Sequence, residues 1–189
     1  MSLKEQQSFL ARLYTDENLR REFLAAPERA GAAADLTGAE IEELARVMPE
    51  ELDFFAESLF FKRLREAEKL LPLARAALGD AFAVHFREFA ARHNPQSIKK
   101  HLEDALAFSA HLAAQKLRPA WAGDAARYDR ARLAFRNGAR RFIFLPFRFD
   151  VARMLRDLHG GRKLADEYRA RRSFAVWIRI GGREKHFIR

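Results

Sequence analysis

A chain of 189 residues can bury one sizeable core with a small appendage, and the absence of cysteine excludes a disulfide framework, a thiol nucleophile and thiolate metal ligation. The net charge of +9 is uneven: residues 139–189 hold 14 Lys+Arg against 5 Asp+Glu, whereas residues 1–138 hold 21 against 21. A neutral body with a cationic end suits an anionic partner there, whether nucleic acid, an acidic peptide or an acidic protein face; a coding bias toward arginine is the bland alternative.

In chain order, Leu3, Phe9, Leu10 and Leu13 predict a short amphipathic helix over residues 2–14. Thr15-Asp16 caps a second helix that ends before Pro27, and residues 30–36 read as a connection. Thr37-Gly38-Ala39-Glu40 has the spacing of a capping box and opens a helix with Ile41, Leu44 and Val47 inward. Pro49 suits the first turn of the next helix. There Leu52, Phe54, Phe55, Leu59, Phe60, Phe61 and Leu64 cover more than one stripe, as expected of a central helix.

Pro72 restarts the chain, with a break expected at Gly79-Asp80. Asn94-Pro95 predicts a cap and a first-turn proline for a helix carrying Ile98, Leu102, Ala105, Ser109 and Leu112. Pro119 restarts again, and Trp121, Ala125, Tyr128, Arg132 and Phe135 recur at helical spacing up to the stop at Asn137-Gly138. The expected body is an all-α bundle of about seven helices.

After Gly138 the period changes to two. Phe142 to Arg148 reads as a strand, and Pro146 within it argues for a sheet edge or a bulge. Asp150 caps a helix with Val151, Met154, Leu155 and Leu158, ended by Gly160-Gly161. Residues 162–172 read as a loop with a helical turn around Ala165–Tyr168. Phe174 to Ile180 and the run to Arg189, joined by Gly181-Gly182, read as a hairpin. The fold class expected is mainly α, with a helical bundle over 1–138 and a β-α-β-β winged-helix-like module with an open sheet edge over 139–189.

No histidine spacing places two ligands on one helix face, and no nucleophile motif or phosphate-cradling loop is present. Paired acids such as Glu42-Glu43 and Glu50-Glu51 suit helix first turns. The chain is therefore expected to be non-catalytic, with no metal or cofactor of its own. Phe142, Phe144, Phe147 and Phe149, interleaved with Arg140, Arg141 and Arg148, can stack bases. Burial of Phe142 and Phe144 against the Val151–Leu158 helix is the better expectation. An arginine-rich sheet edge can also accept an acidic peptide as an added strand. Candidate peptide-binding residues are Arg141, Phe147, Arg148, Trp177, Arg179, Arg183 and His186.

Phe9-Leu10-Ala11-Arg12-Leu13-Tyr14-Thr15-Asp16, Leu19 to Pro27, Ser58-Leu59 through Arg63 to Leu70-Leu71-Pro72-Leu73, Leu78-Gly79-Asp80-Ala81-Phe82 with Phe86 and Phe89, and Asn94-Pro95 carry a resemblance over residues 9–126. The chain resembles the partner proteins of multinuclear non-haem iron enzymes in bacterial peptide-modification operons. With Phe174 to Ile180 and the final hairpin, it is similar to the C-subunit family of methanobactin biosynthesis. That resemblance implies a heterodimer with an iron-containing barrel enzyme, whose iron ligands lie in the partner. It implies recognition of the leader of a ribosomally made precursor peptide, whose cysteines the complex converts with dioxygen to oxazolone and thioamide groups.

The runner-up is a DNA-binding regulator that places the Val151–Leu158 helix in a groove, although Arg153, Arg156 and Asp157 offer it a thin reading surface. A structural adaptor is a third reading. The start of the chain lacks a basic-then-apolar leader, and no apolar run approaches the ~18–20 residues of a membrane span. A cytoplasmic location without membrane association is expected.

Overall fold

The computed structural model describes residues 3–47, 49–95, 98–138 and 140–189. The fold is mainly α, with ten helices among the described residues and one three-stranded antiparallel sheet at the C-terminal end. The chain forms two compact units, Met1–Arg63 with Ala90–Asn94 and Leu64–Phe89 with Pro95–Arg189.

The first unit contains α1 (Leu3–Thr15), α2 (Glu17–Ala25), α3 (Pro27–Ala32), α4 (Gly38–Ala45) and most of α5 (Pro49–Leu70). Asp16 caps α2 by accepting from the backbone N–H groups of Asn18 and Leu19. The Thr37–Glu40 capping box opens α4 as its spacing predicts, and the bonds to Thr37 hold the Glu40 carboxyl below its ordinary pKa. Phe9, Leu13, Phe23, Ile41 and Leu44 form the shared core, with Phe9 and Phe23 edge-to-face at 5.5 Å. Residues 27–32, partly read as connection, are the helical turn α3, because Pro27 takes the first helical position, where its missing N–H is not needed.

The central role expected of α5 needs correction. Its buried stripe is Leu52, Ala56, Leu64 and Ala67, while Phe54 is 76 % exposed and Phe55 and Phe61 are about half exposed. Positions 54 and 61 fall opposite Leu52 on a 3.6-residue period, so one buried stripe leaves them in solvent.

In the second unit α6 (Pro72–Leu78), α7 (Ala81–Ala90), α8 (Lys100–Ala114) and α9 (Ala122–Arg136) precede β1 (Phe142–Phe149), α10 (Val151–His159), β2 (Ala170–Ile180) and β3 (Arg183–Ile188). Nine helices before the sheet among the described residues, against about seven expected, come from α3 and from the division of α6 and α7 at Gly79, whose φ of 54° favours glycine. Asn94-Pro95 does not open α8. That helix starts at Lys100, and Ile98 lies outside it, fully exposed.

The central helix of this unit is α9, whose nine buried residues lie on all sides. Ala122, Ala125, Ala126 and Ala131 let neighbours approach closely, and α6, α8, β1, β2 and α10 all contact it. Phe82, Phe86 and Phe89 of α7 surround Phe108 of α8, with ring centroids 5.0–5.2 Å from it.

Two buried aspartates of α9 hold backbone of other elements. Asp129 Oδ2 accepts from Leu73 N and Ala74 N at 2.9 and 3.0 Å, supplying the cap that Leu71 cannot give α6. Asp124 Oδ2 accepts from Arg148 N and Phe149 N at 2.7 and 3.0 Å, tying the end of β1 to α9.

The order β1-α10-β2-β3 matches the expected β-α-β-β module, and β2 is the middle strand. Asp150 caps α10 by accepting from Arg153 N, and Val151, Met154 and Leu155 are buried. Residues 165–168 are an irregular loop without the expected helical turn, and β2 begins at Ala170. Tyr168 fixes that loop by packing edge-on to Trp121 and donating to Asp157. Gly181 and Gly182 both take positive φ (55° and 78°), as a two-residue hairpin turn requires.

Phe142 and Phe144 are 55 % and 54 % exposed, contrary to the expectation of burial. The inward set of β1 is Ile143, Leu145 and Phe147. Residues 142–147 are apolar on both faces, so a period of two could not choose which face meets the helices.

Asp129 supplies a test. Burial pushes its carboxyl up to about 6, against the lowering by the Ala74 and Leu73 N–H bonds and by Arg132. Because the folded-state pKa lies above the unfolded value, the native state binds more protons between about pH 4 and pH 6, and stability falls as pH rises through that window. Asp129→Asn, which keeps an acceptor, should flatten this slope. Asp129→Ala strands two N–H groups and should cost about 2–4 kcal/mol in urea denaturation.

Candidate functional site

The register decides which backbone groups of the sheet are free. Arg179 N donates to Arg141 O, so residues 141, 143, 145 and 147 of the β1 side are in the hydrogen-bonded pairs with β2, and 142, 144, 146 and 148 turn their backbone outward. Phe174 and Arg189 exchange both backbone bonds, so 183, 185 and 187 pair with β2, and Glu184, His186 and Ile188 turn outward.

The two edges differ. On β1, Pro146 has no N–H to offer, which costs the ladder nothing because its nitrogen faces away from β2. The next outward donor, Arg148 N, is taken by Asp124. Two β2 residues, Arg171 and Arg172, stand opposite Arg148 in a bulge, which ends regular pairing there. On β3, the backbone groups of Glu184, His186 and Ile188 have no partner among the described residues. β3 is the complete free edge.

The candidate residues fall into three places. Phe147 (3 % exposed) and Trp177 (4 %) are core residues on the inner face, packed with Tyr128 of α9. Arg179 is engaged by the fold: it donates to Phe135 O and to Glu184, and lies over the Phe135 ring at 5.0 Å. His186 stacks on Trp177 at 4.8 Å, and burial lowers its pKa, which favours the neutral imidazole. Arg141, Arg148 and Arg183 are exposed and make no ion pair among the described residues.

The outer sheet face is apolar at its centre. Phe142, Phe144, Phe174, Ile180 and Phe187 are each 38–60 % exposed, and Phe144 and Phe174 pack at 5.7 Å. Arg148, Arg183, Lys185 and Arg189 belong to the same face or its margin by alternation. A contiguous apolar patch rimmed by cations is characteristic of a protein-docking surface.

Against the inner side of the β3 edge lies a cleft of about 430 Å³ between α6, α9, α10 and the hairpin. Tyr128, Arg132, Arg136, His159, Lys185 and His186 line it. Tyr128, Arg136 and His159 carried no functional reading in the sequence; the shared helical spacing of Tyr128 with Trp121 and Phe135 marked only burial. Among the described residues no group of three or more His, Asp or Glu side chains could hold a metal ion, and no helix is long and apolar enough to cross a membrane.

Residues 47–114, from the start of α5 to the end of α8, match the SCO6045-like, C-terminal domain family. That match takes in α5 to α8 and stops before the sheet. No curated protein matches the chain.

The two sheet faces make opposite predictions. Trp177→Ala, which empties a buried site, should destabilise the protein by about 3–5 kcal/mol. Phe144→Ser, on the exposed face, should change stability by less than about 0.5 kcal/mol. Denaturant midpoints of the two variants check the assignment.

Proposed function

We propose that the chain is a non-catalytic partner subunit that binds the leader of a ribosomally made precursor peptide and pairs with a multinuclear non-haem iron oxygenase. On this reading the complex uses dioxygen to convert peptide cysteines to oxazolone and thioamide groups, as in assembly of a methanobactin-type copper chelator. The iron belongs to the enzyme. The observation that carries the proposal is the unpaired β3 edge within a module bearing the whole net charge of the chain. An acidic extended segment gains main-chain hydrogen bonds from such an edge and attraction from the arginines beside it.

Of the candidate cations, Arg183 sits at the start of β3 and is free to meet a carboxylate, and Arg148 and Arg141 flank the other margin. Arg179, engaged with Glu184, acts through the hairpin, and Phe147 and Trp177 support the sheet from beneath. The apolar outer face offers a separate surface for the enzyme.

Co-expression with a barrel-type iron enzyme encoded beside its gene should give a stable heterodimer on size exclusion. Arg183→Glu should weaken binding of an acidic extended leader peptide about fivefold in calorimetry, with unchanged helical circular dichroism. Elution of the chain alone, together with steeply salt-dependent retardation of unrelated DNA, would instead favour a DNA-binding regulator.

A further inference from the structure

The cleft beside β3 has an excess of unmatched positive charge. Asp129 and Glu184 also line it, but Asp129 is held by Leu73 N, Ala74 N and Arg132, and Glu184 by Arg179. Arg136 makes no ion pair among the described residues, whereas Lys185 borders the cleft but projects to the outer sheet face. The Tyr128 ring is packed in the core, and its hydroxyl reaches the cleft with no hydrogen-bond partner among the described residues. That hydroxyl opens into the cleft as a free donor, and an acceptor seated there would take it up.

The position of the cleft selects the form of that acceptor. A strand added to β3 pairs with Glu184, His186 and Ile188, and residues directly opposite each other in an antiparallel pair project to the same face. The residue opposite His186 therefore projects inward, beside the His186 ring, which packs on Trp177 and Tyr128. At about 430 Å³ the cleft admits side chains of any size, so charge and hydrogen bonding, rather than volume, discriminate.

The geometry points to this cleft as a subsite for one acidic side chain of a peptide strand added at β3, its carboxylate accepting from the Tyr128 hydroxyl and pairing with Arg136. This rests on the reading of β3 as the peptide-accepting edge. Arg132 borders the subsite but is held by Leu70 O and Asp129, so it contributes field, while Arg136 supplies the free guanidinium. His159, at the C-terminal end of α10, closes the far wall.

The test uses the full chain and fluorescein-labelled nonapeptides of alternating threonine and valine, with Glu, Gln or Lys at the centre. A fourth peptide carries Glu and is N-methylated at alternate amides along its pairing edge. Fluorescence polarisation should show the Glu peptide binding about tenfold more tightly than the Gln peptide, with the Lys peptide weaker still. Arg136→Gln should bring the Glu peptide to within about twofold of the Gln peptide and leave the latter unchanged. Tyr128→Phe, which keeps the ring contacts, should cost the Glu peptide several-fold. N-methylation should reduce binding at least about tenfold.

Equal binding of Glu and Gln peptides, both sensitive to N-methylation, would overturn the subsite and leave the edge reading standing. Insensitivity to N-methylation, or no binding by any peptide, would overturn both. Tight binding of inorganic phosphate with peptides blind to charge would make the cleft a small-anion site and equally overturn the assignment.

Discussion

Two carboxylates on one helix govern the C-terminal unit. Asp124 and Asp129 sit five residues apart on α9, both buried, and each accepts two backbone N–H groups from a different element. A buried carboxylate without partners would be strongly disfavoured, so each aspartate fixes where its partner backbone must lie. Asp129 places the start of α6, and Asp124 places the end of β1. Ser173 completes the corner, donating to Phe149 O at 2.6 Å and accepting from Val151 N at 3.3 Å. The sheet thus lies on α9 through directional bonds as well as through Phe147, Trp177 and Tyr128.

The same constraint makes the sheet asymmetric. By consuming the N–H of Arg148, Asp124 blunts the β1 edge at the place where Pro146 already lacks a donor. Sheets protect themselves from unwanted pairing by such means. β3 has no comparable protection beyond its charges, and its outward-turned residues run beside the cationic cleft.

Much of the architecture was legible from local chemistry. Asp16, Thr37 with Glu40, Asp150 and the Gly181-Gly182 turn each announce a boundary, and each is where the structure has one. The faces were not legible where both sides of an element are apolar. Phe142 and Phe144 alternate with Ile143 and Leu145, and only the position of α9 decides that the second set turns inward. The same ambiguity made α5 look central. The true central helix was hidden because alanine, arginine and aspartate dominate α9, and a polar-looking sequence gives no sign that its aspartates bond to backbone 50 or more residues earlier and over 20 later. The exposure of Arg183 follows from its charge and its place at the hairpin; the cleft was not legible, because only tertiary packing brings His159 and the hairpin against Tyr128 and Arg136 of α9.

Amide hydrogen exchange, resolved by residue in nuclear magnetic resonance, tests the central claim most directly. In the isolated chain the amides of Lys185 and Phe187 should be protected and those of Glu184, His186 and Ile188 should exchange rapidly; the latter three should slow markedly when precursor peptide is added. Protection of those three in the free chain, or no change on peptide addition, would contradict the account.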